Sequence, residues 1–404
     1  MDECFKAVHR PRRTQGLSDV SAFGLEAAKQ ARAFHASFPE YGVTPLADLS
    51  GLAGALGLGG VYVKDESYRF GLNAFKVLGG SFAIGSYIAG RLGVALKDLP
   101  YEKMVSDAVR QKLGEITFVT ATDGNHGRGV AWTANRLRQK AVVYMPKGSA
   151  LERLENIRAL GAEASITDLN YDDAVRLANQ GAEQYGWVMV QDTAWEGYED
   201  IPAWIMQGYT TMALEAVEQL REHQVERPTH VFLQAGVGAM SGGVTGFLSD
   251  YYGEKDRPII TIVEPNKADC LYRTARANDG RLRFVSDGMD TIMAGLACGE
   301  PCTIGWKVLA DHADHFVSCP DYTAAKGMRV LGNPLAGDPR VVSGESGAAT
   351  LGLVAEVMQN RSLDWLREEL QLDGNSRVLC ISTEGDTDRA GYRRIVWDGA
   401  YPSF

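Results

Sequence analysis

Cysteine is scarce in this chain: six residues are spread from Cys4 to Cys380 through 404 positions. A disulfide framework belongs to short secreted domains, so these read as buried thiols. Long hydrophobic runs are missing as well. Met1 to Gly16 has no apolar stretch of the kind a secretory leader carries, and no run is long enough to span a bilayer. The expectation is a cytoplasmic protein with no membrane partner. Positive charge is the third shortage. Lys and Arg number 41 against 51 Asp and Glu, a formal net charge of −10, which leaves no electrostatic footprint for nucleic acid or anionic lipid. The short basic segment His9, Arg10, Arg12 and Arg13 reads as solvated chain rather than a binding arm. Metal-ligand patterns are equally thin. Cys298 with Cys302, and the string Asp311-His312-Ala313-Asp314-His315, hold suitable residue types, but neither supplies four ligands at a familiar spacing, so no metal is expected.

Apolar residues make up 45% and charged residues 23% of the chain, the balance of a globular protein with a sizeable core. The 45 glycines gather in loops between apolar runs. From about residue 116 onward, short β-rich runs alternate with helical patterns: Ile116 to Thr120, Ala141 to Met145, Ala164 to Thr167, Trp187 to Gln191, His230 to Gln234, Ile259 to Val263 and Arg377 to Ser382. Helix-like segments run from Ala150 to Leu160, Asp172 to Tyr185, Trp204 to Glu222 and Gly347 to Gln359. This is the rhythm of an α/β fold with largely parallel twisted sheets flanked by helices, whose sites lie beyond the carboxyl ends of the strands. Four strand–helix units over about residues 80 to 205, and a second series from His230, suggest two lobes. The expected division is a large domain of residues 1–79 and 206–404, with a smaller α/β domain of 80–205 inserted into it.

Three loops carry chemistry. In Asn73-Ala74-Phe75-Lys76-Val77-Leu78 the lysine opens an apolar-periodic helix. Partial desolvation and the positive end of the helix dipole both favour its neutral amine, the form that attacks a carbonyl to make an imine. An isolated lysine there would otherwise lay its stem over apolar neighbours. Gln234-Ala235-Gly236-Val237-Gly238-Ala239-Met240-Ser241 follows a strand and opens a helix. Its amides make a nest for phosphate. The same glycines also fit a plain strand–helix turn, or a dinucleotide fingerprint completed by Glu264 that would make an NAD-dependent oxidoreductase, although Ser241 stands where that fingerprint wants glycine. Thr122-Asp123-Gly124-Asn125-His126-Gly127 presents a hydroxyl, an amide and backbone N–H groups to an anion such as a carboxylate. Asp123 in it is either a turn residue or an acid–base group. Asp192, after the run Trp187 to Gln191, is either an N-cap or part of a site loop.

The lysine after phenylalanine, the Gly-Asn-His-Gly loop, the glycine-rich turn and Glu345-Ser346-Gly347-Ala348 occur in the order seen in fold type II pyridoxal phosphate (PLP) enzymes, which this sequence resembles over about residues 40 to 390. Within that group, four strings resemble the diaminopropionate ammonia-lyase family: Phe70-Gly71-Leu72-Asn73-Ala74-Phe75-Lys76, Thr122 to Val130, Gln191 to Tyr198 and Ser382 to Asp388. The resemblance implies two lobes with the active site between them, a homodimer and a small amino-acid substrate. The activity it implies is elimination of ammonia from D- and L-2,3-diaminopropionate. It makes Lys76 the residue that carries PLP, with Phe75, Asn125, Gly236, Val237, Gly238, Ala239, Met240, Glu345 and Thr383 around the cofactor. Asn125 is implied beside the ring hydroxyl and Thr383 at the pyridine nitrogen. Thr122, Asp123, Gly124, His126 and Asp192 are implied at the substrate, and Lys76, Asp123 and Asp192 as the catalytic groups. Threonine dehydratases carry serine and a small residue where this chain has Thr122 and Asp123, a departure that turns the expectation away from hydroxyamino acids. The alternatives are a serine or threonine dehydratase, a β-replacement enzyme of the same fold, or a catalytically silent sensor.

Overall fold

The computed structural model describes residues 5–13, 15–122, 124–286 and 288–403. Eleven strands are present among them: β1 (Lys6–His9), β2 (Leu46–Asp48), β3 (Gly60–Asp65), β4 (Thr117–Ala121), β5 (Lys140–Met145), β6 (Glu163–Ile166), β7 (Val188–Met189), β8 (His230–Gln234), β9 (Ile259–Pro265), β10 (His315–Cys319) and β11 (Arg377–Ser382). Seven form one sheet in the order β1-β10-β9-β8-β11-β3-β2, and four form a second in the order β6-β5-β4-β7. The smaller sheet is parallel throughout, whereas in the larger one only the outer strands β1 and β2 run antiparallel to their neighbours.

Burial explains the strand compositions. Every residue of β3, β8 and β10 is buried, as is all of β11 after Arg377. A parallel sheet covered by helices on both faces wants apolar residues in continuous runs rather than in alternation, and Val231-Phe232-Leu233 and Val378-Leu379-Cys380-Ile381 supply them. β8 and β11 have the bounds read from the sequence. β3 escaped that reading because Lys64 interrupts its apolar run, yet this side chain is fully buried and paired with Glu215 at 2.7 Å.

The N-terminal basic segment is exposed at His9, Arg12 and Arg13, as expected, and is nonetheless tied to the fold. His9 ends β1 on the sheet edge, Arg12 pairs with Asp314 and Arg13 with Asp311, each at 2.8 Å, and the Arg10 guanidinium donates to the Ala310 carbonyl at 3.1 Å. The string from Asp311 to His315 is likewise tied into the fold. His312 ends the helix Thr303–His312 and bonds Glu254, Asp314 neutralises Arg257 and Arg12, and His315 starts β10. Among the described residues no group of three or more His, Cys, Asp or Glu side chains is placed to hold a metal, and no helix is long and apolar enough to cross a membrane. The described cysteines, Cys270, Cys298, Cys302, Cys319 and Cys380, are all free thiols.

The carboxyl ends of β3, β4, β7, β8 and β11 lead into the loops that hold Lys76, Asn125, Asp192, Gly236 and Thr383. One cavity collects all five residues.

Candidate active site

After β3 the chain makes a kinked 3-10 turn over Glu66–Gly71, passes Phe70, Gly71 and Asn73 at positive φ, and enters the helix Val77–Leu92 with Lys76 at its N-cap. The turn is fastened to the loop after β11. Gly385 N–H donates to the Asn73 carbonyl and Phe75 N–H to the Thr383 carbonyl, both at 3.0 Å. Lys76 is therefore held at a backbone junction between two loops of the larger sheet.

The helix that follows is gripped by the helix Asn125–Arg136. A Cβ added at Gly129 would stand 2.8 Å from Val77 Cα and 2.9 Å from its backbone nitrogen. No side-chain rearrangement relieves a contact with backbone, so Gly129→Ala is expected to push Val77, and Lys76 with it, out of register. The expected result is a loss of about 1–3 kcal/mol of stability together with a fall in turnover, checked by urea unfolding and a pyruvate assay. Wild-type stability and turnover in the variant would show that the two helices separate freely.

Lys76 Nζ forms an ion pair with Asp192 Oδ2. The sequence argument for a neutral amine weighed desolvation and the helix dipole; the carboxylate that the fold brings against Lys76 acts in the opposite sense. Asp192 is 4% exposed. Burial alone would raise its pKa, but the Lys76 ammonium and then His126 outweigh it and hold the carboxyl at about 2. The N-cap alternative for Asp192 falls away, since the next helix, Asp200–Glu222, is capped at Glu199.

In the loop after β4, Thr122 Oγ1 accepts from the Gly124 N–H at 2.9 Å, and Asn125 begins its helix with Nδ2 donating to Glu384. His126 is buried, and its Nε2 donates to the Val190 carbonyl at 2.8 Å. Asp123 lies outside the described residues. Gly124 lies behind the cavity wall, against the Arg153 side chain.

Opposite stands the glycine-rich turn. Gly238 caps the helix Ala239–Tyr252 at φ +93°, a left-handed conformation that excludes most side chains. The first amides of that helix lack intrahelical acceptors, and Gly236 to Met240 all line the cavity. This arrangement fits an anion. The dinucleotide alternative does not survive: Glu264 is fully buried, with its oxygens accepting from Leu271 N–H at 2.8 Å and Tyr272 N–H at 2.6 Å. It does not line the cavity.

The cavity measures about 340 Å³ and is walled by Phe75, Lys76, Thr122, Asn125, His126, Asp192, Gly236, Val237, Gly238, Ala239, Met240, Glu345 and Thr383 among others. That volume lies in the range of small-molecule sites. Two of its buried polar atoms, the Tyr209 hydroxyl and Gln234 Oε1, have no hydrogen-bond partner among the described residues. Unmet buried groups of this kind cost about 1–3 kcal/mol each and mark a site built for a polar ligand. Gln234 Nε2 meanwhile donates to Thr383 Oγ1 at 2.9 Å. Burial, then the neighbouring Glu384, pushes the Glu345 carboxyl up to about 7, so near neutrality this side chain both donates and accepts.

Sequence reasoning missed Tyr209 and assigned no role to Gln234 or Glu384, although both fall in strings it singled out. The last two end or follow β8 and β11, so the rule that sites lie at strand carboxyl ends would have reached them. Tyr209 sits within a long helix and reads as an ordinary core aromatic.

The pattern of the pyridoxal-phosphate dependent enzyme family matches residues 38–384. The diaminopropionate ammonia-lyase of Salmonella typhimurium is 54% identical over 368 residues, covering 91% of this chain and 91% of the relative. The chain belongs to the diaminopropionate ammonia-lyase family. Among solved structures, the Escherichia coli diaminopropionate ammonia-lyase in complex with D-serine superposes with a TM-score of 0.91 at 50% identity, covering 98% of both chains. The same enzyme in complex with an aminoacrylate-PLP azomethine reaction intermediate gives 0.89 over 98% of both. A diaminopropionate ammonia-lyase fold of type II and a PLP cofactor are thereby established for this chain, and the unmet polar atoms and the left-handed turn at Gly238 fit that cofactor.

Proposed function

We propose that this chain eliminates ammonia from D- and L-2,3-diaminopropionate, yielding pyruvate and a second ammonia with uptake of one water. The observation that carries the reading is the ion pair of Lys76 with Asp192 in a cavity that the glycine-rich turn Gly236 to Met240 also lines. Lys76 would carry the cofactor, the amides of Gly236, Val237, Gly238, Ala239 and Met240 would hold its phosphate, and Asn125, Thr383, Phe75 and Glu345 would surround its ring. Pyridoxal phosphate, when bound, supplies a conjugated electron sink that makes the substrate Cα proton removable near neutral pH.

The remaining chemistry belongs to the side chains. Removal of the Cα proton needs a base on the face where it points. Lys76 Nζ serves one enantiomer, and Asp123 is assigned to the other. Departure of the β-nitrogen needs that nitrogen to be protonated, because a neutral amine is a poor leaving group. Asp192, ionised throughout the neutral range, attracts and orients the β-ammonium group. Thr122 and the loop amides after β4 face the carboxylate of the substrate.

Assaying pyruvate from D- and L-diaminopropionate and from serine tests the reading. Rapid turnover of both diaminopropionate enantiomers with little from serine supports it, whereas a preference for serine turns the assignment to a dehydratase. The latter alternative keeps its place because the E. coli relative is solved with D-serine. Asp123→Asn is expected to lower turnover about 10²-fold with one enantiomer and little with the other. Equal loss or equal retention with both, measured in the same assay, removes the base assignment. Three further parts belong to this reading: a homodimer, which the family resemblance implies, a cytoplasmic location, which is the expectation drawn from the sequence, and a small domain of residues 80–205 inserted in the larger one, which the rhythm of strands and helices suggests. Sedimentation at enzyme concentrations of the assay checks the first.

A further inference from the structure

Asp192 lies between two groups able to carry positive charge. On one side is the Lys76 amine, and on the other His126, whose Nδ1 stands 3.9 Å from the same Oδ2 that meets the lysine. The second imidazole nitrogen is committed, since Nε2 donates to the Val190 carbonyl at 2.8 Å. A proton gained by this ring must go to Nδ1, the atom facing the carboxylate. Among the described residues the other titratable groups here are Tyr198, whose hydroxyl accepts from the Gln191 N–H and donates to the Met189 carbonyl, Tyr209, from the helix Asp200–Glu222, and Cys302, which precedes the helix Thr303–His312. All three are neutral, held so first by burial. Asp123 belongs to the same loop as His126 and lies outside the described residues.

Lys76 cannot serve Asp192 and the cofactor equally. Once its amine is joined to the cofactor, a carboxylate 4% exposed loses a direct ion-pair partner. A buried charge left without compensation is strongly disfavoured, so either it takes a proton or a second cation forms beside it. Protonation would deprive the site of the group that orients the β-ammonium. We propose that His126 is a positioning residue that takes over from Lys76 as the counter-charge of Asp192 when the lysine amine is engaged by the cofactor. The imidazolium keeps Asp192 anionic and aimed into the cavity, and gives up its proton when the substrate ammonium arrives in its stead. Sequence reasoning had placed His126 at the substrate; here it acts through Asp192.

The inference rests on Lys76 as the cofactor lysine, but its first test needs neither cofactor nor turnover. Lys76→Ala removes the amine as cofactor binding would. Nitrogen-correlated NMR of the seven histidines at pH 7, with His126 assigned by its loss in His126→Asn, reads the ring directly. In the wild-type protein without PLP, His126 is expected neutral with the proton on Nε2. In Lys76→Ala it is expected doubly protonated, and in Lys76→Ala/Asp192→Asn neutral again. A ring that stays neutral in Lys76→Ala, or stays charged after loss of Asp192, overturns the proposal. Should Lys76→Ala fail to fold by circular dichroism, the wild-type apoprotein and His126→Asn are titrated with PLP by calorimetry in two buffers of different ionisation enthalpy. The wild type is expected to release about one proton fewer per site; equal proton counts overturn the inference. Failure of the functional reading shows separately, as absent pyruvate formation from diaminopropionate.

Discussion

Lys76→Ala is expected to lower pyruvate formation from both enantiomers of diaminopropionate about 10⁴-fold, with the fold intact. The side chain sits at an N-cap position, makes no capping hydrogen bond and is partly exposed to the cavity, so little of the fold depends on it. What depends on it is the chemistry. The amine is the proposed attachment point of the cofactor, and also the proposed proton acceptor on its own face, so one substitution removes two functions that cannot be rescued separately. The variant is expected to show no borohydride-reducible link between protein and cofactor, although the anion turn at Gly236 to Met240 is untouched and PLP still binds reversibly. Absorbance before and after dialysis, and the pyruvate assay, read the two functions independently. Persistence of a reducible covalent link in Lys76→Ala would assign the cofactor to another lysine and dissolve the reading of this cavity.

The parts legible from sequence were those in which local chemistry and tertiary position agree. Lys76 opening a helix, the strand at His230–Gln234 leading into glycines, and Asp192 beyond a short apolar run each announced a loop at a strand end. Those loops converge because parallel strands deliver all their carboxyl ends to one side. Where burial contradicted residue type, the sequence misled. Lys64 hid β3, because a lysine inside an apolar run reads as a surface position until Glu215 is known to lie against it. His315 hid β10 inside a metal-like string, and the ion pairs of the exposed Arg12 and Arg13 went unread because their acids lie about 300 positions away. The ion pair of Lys76 with Asp192 spans 116 residues. It could not be read from either loop alone.

The same logic locates the most fragile point of the fold, at the base of the turn that delivers Lys76. Arg69 is fully buried and donates to both oxygens of Glu66, each at 2.8 Å, and to both oxygens of Glu215 at 2.9 and 2.7 Å. Lys64 meets Glu215 at 2.7 Å, and Tyr41 donates to it at 2.8 Å. Two cations and two anions thus balance inside the core. Burial opposes the charge on Glu215, but Arg69 and then Lys64 overcome it and hold this carboxyl well below the usual carboxylate range. Glu215→Gln keeps the shape and removes one negative charge, leaving Arg69 and Lys64 to share Glu66. Breaking a buried network by deleting one partner costs about 3–5 kcal/mol, against a total stability of about 5–15 kcal/mol. The expected result in urea is a midpoint lowered by about a fifth or more of its value, with turnover falling as the turn over Glu66–Gly71 loosens. The pH dependence supplies a second sign. A carboxyl depressed in the folded state contributes stability that is complete above its ordinary range and disappears as pH falls through the folded value. The wild type should therefore lose stability steeply below about pH 4, the ordinary carboxylate range, and Glu215→Gln should do so less steeply. A variant with wild-type stability across that range would mean that water reaches these charges and that Arg69 does not anchor the lysine turn.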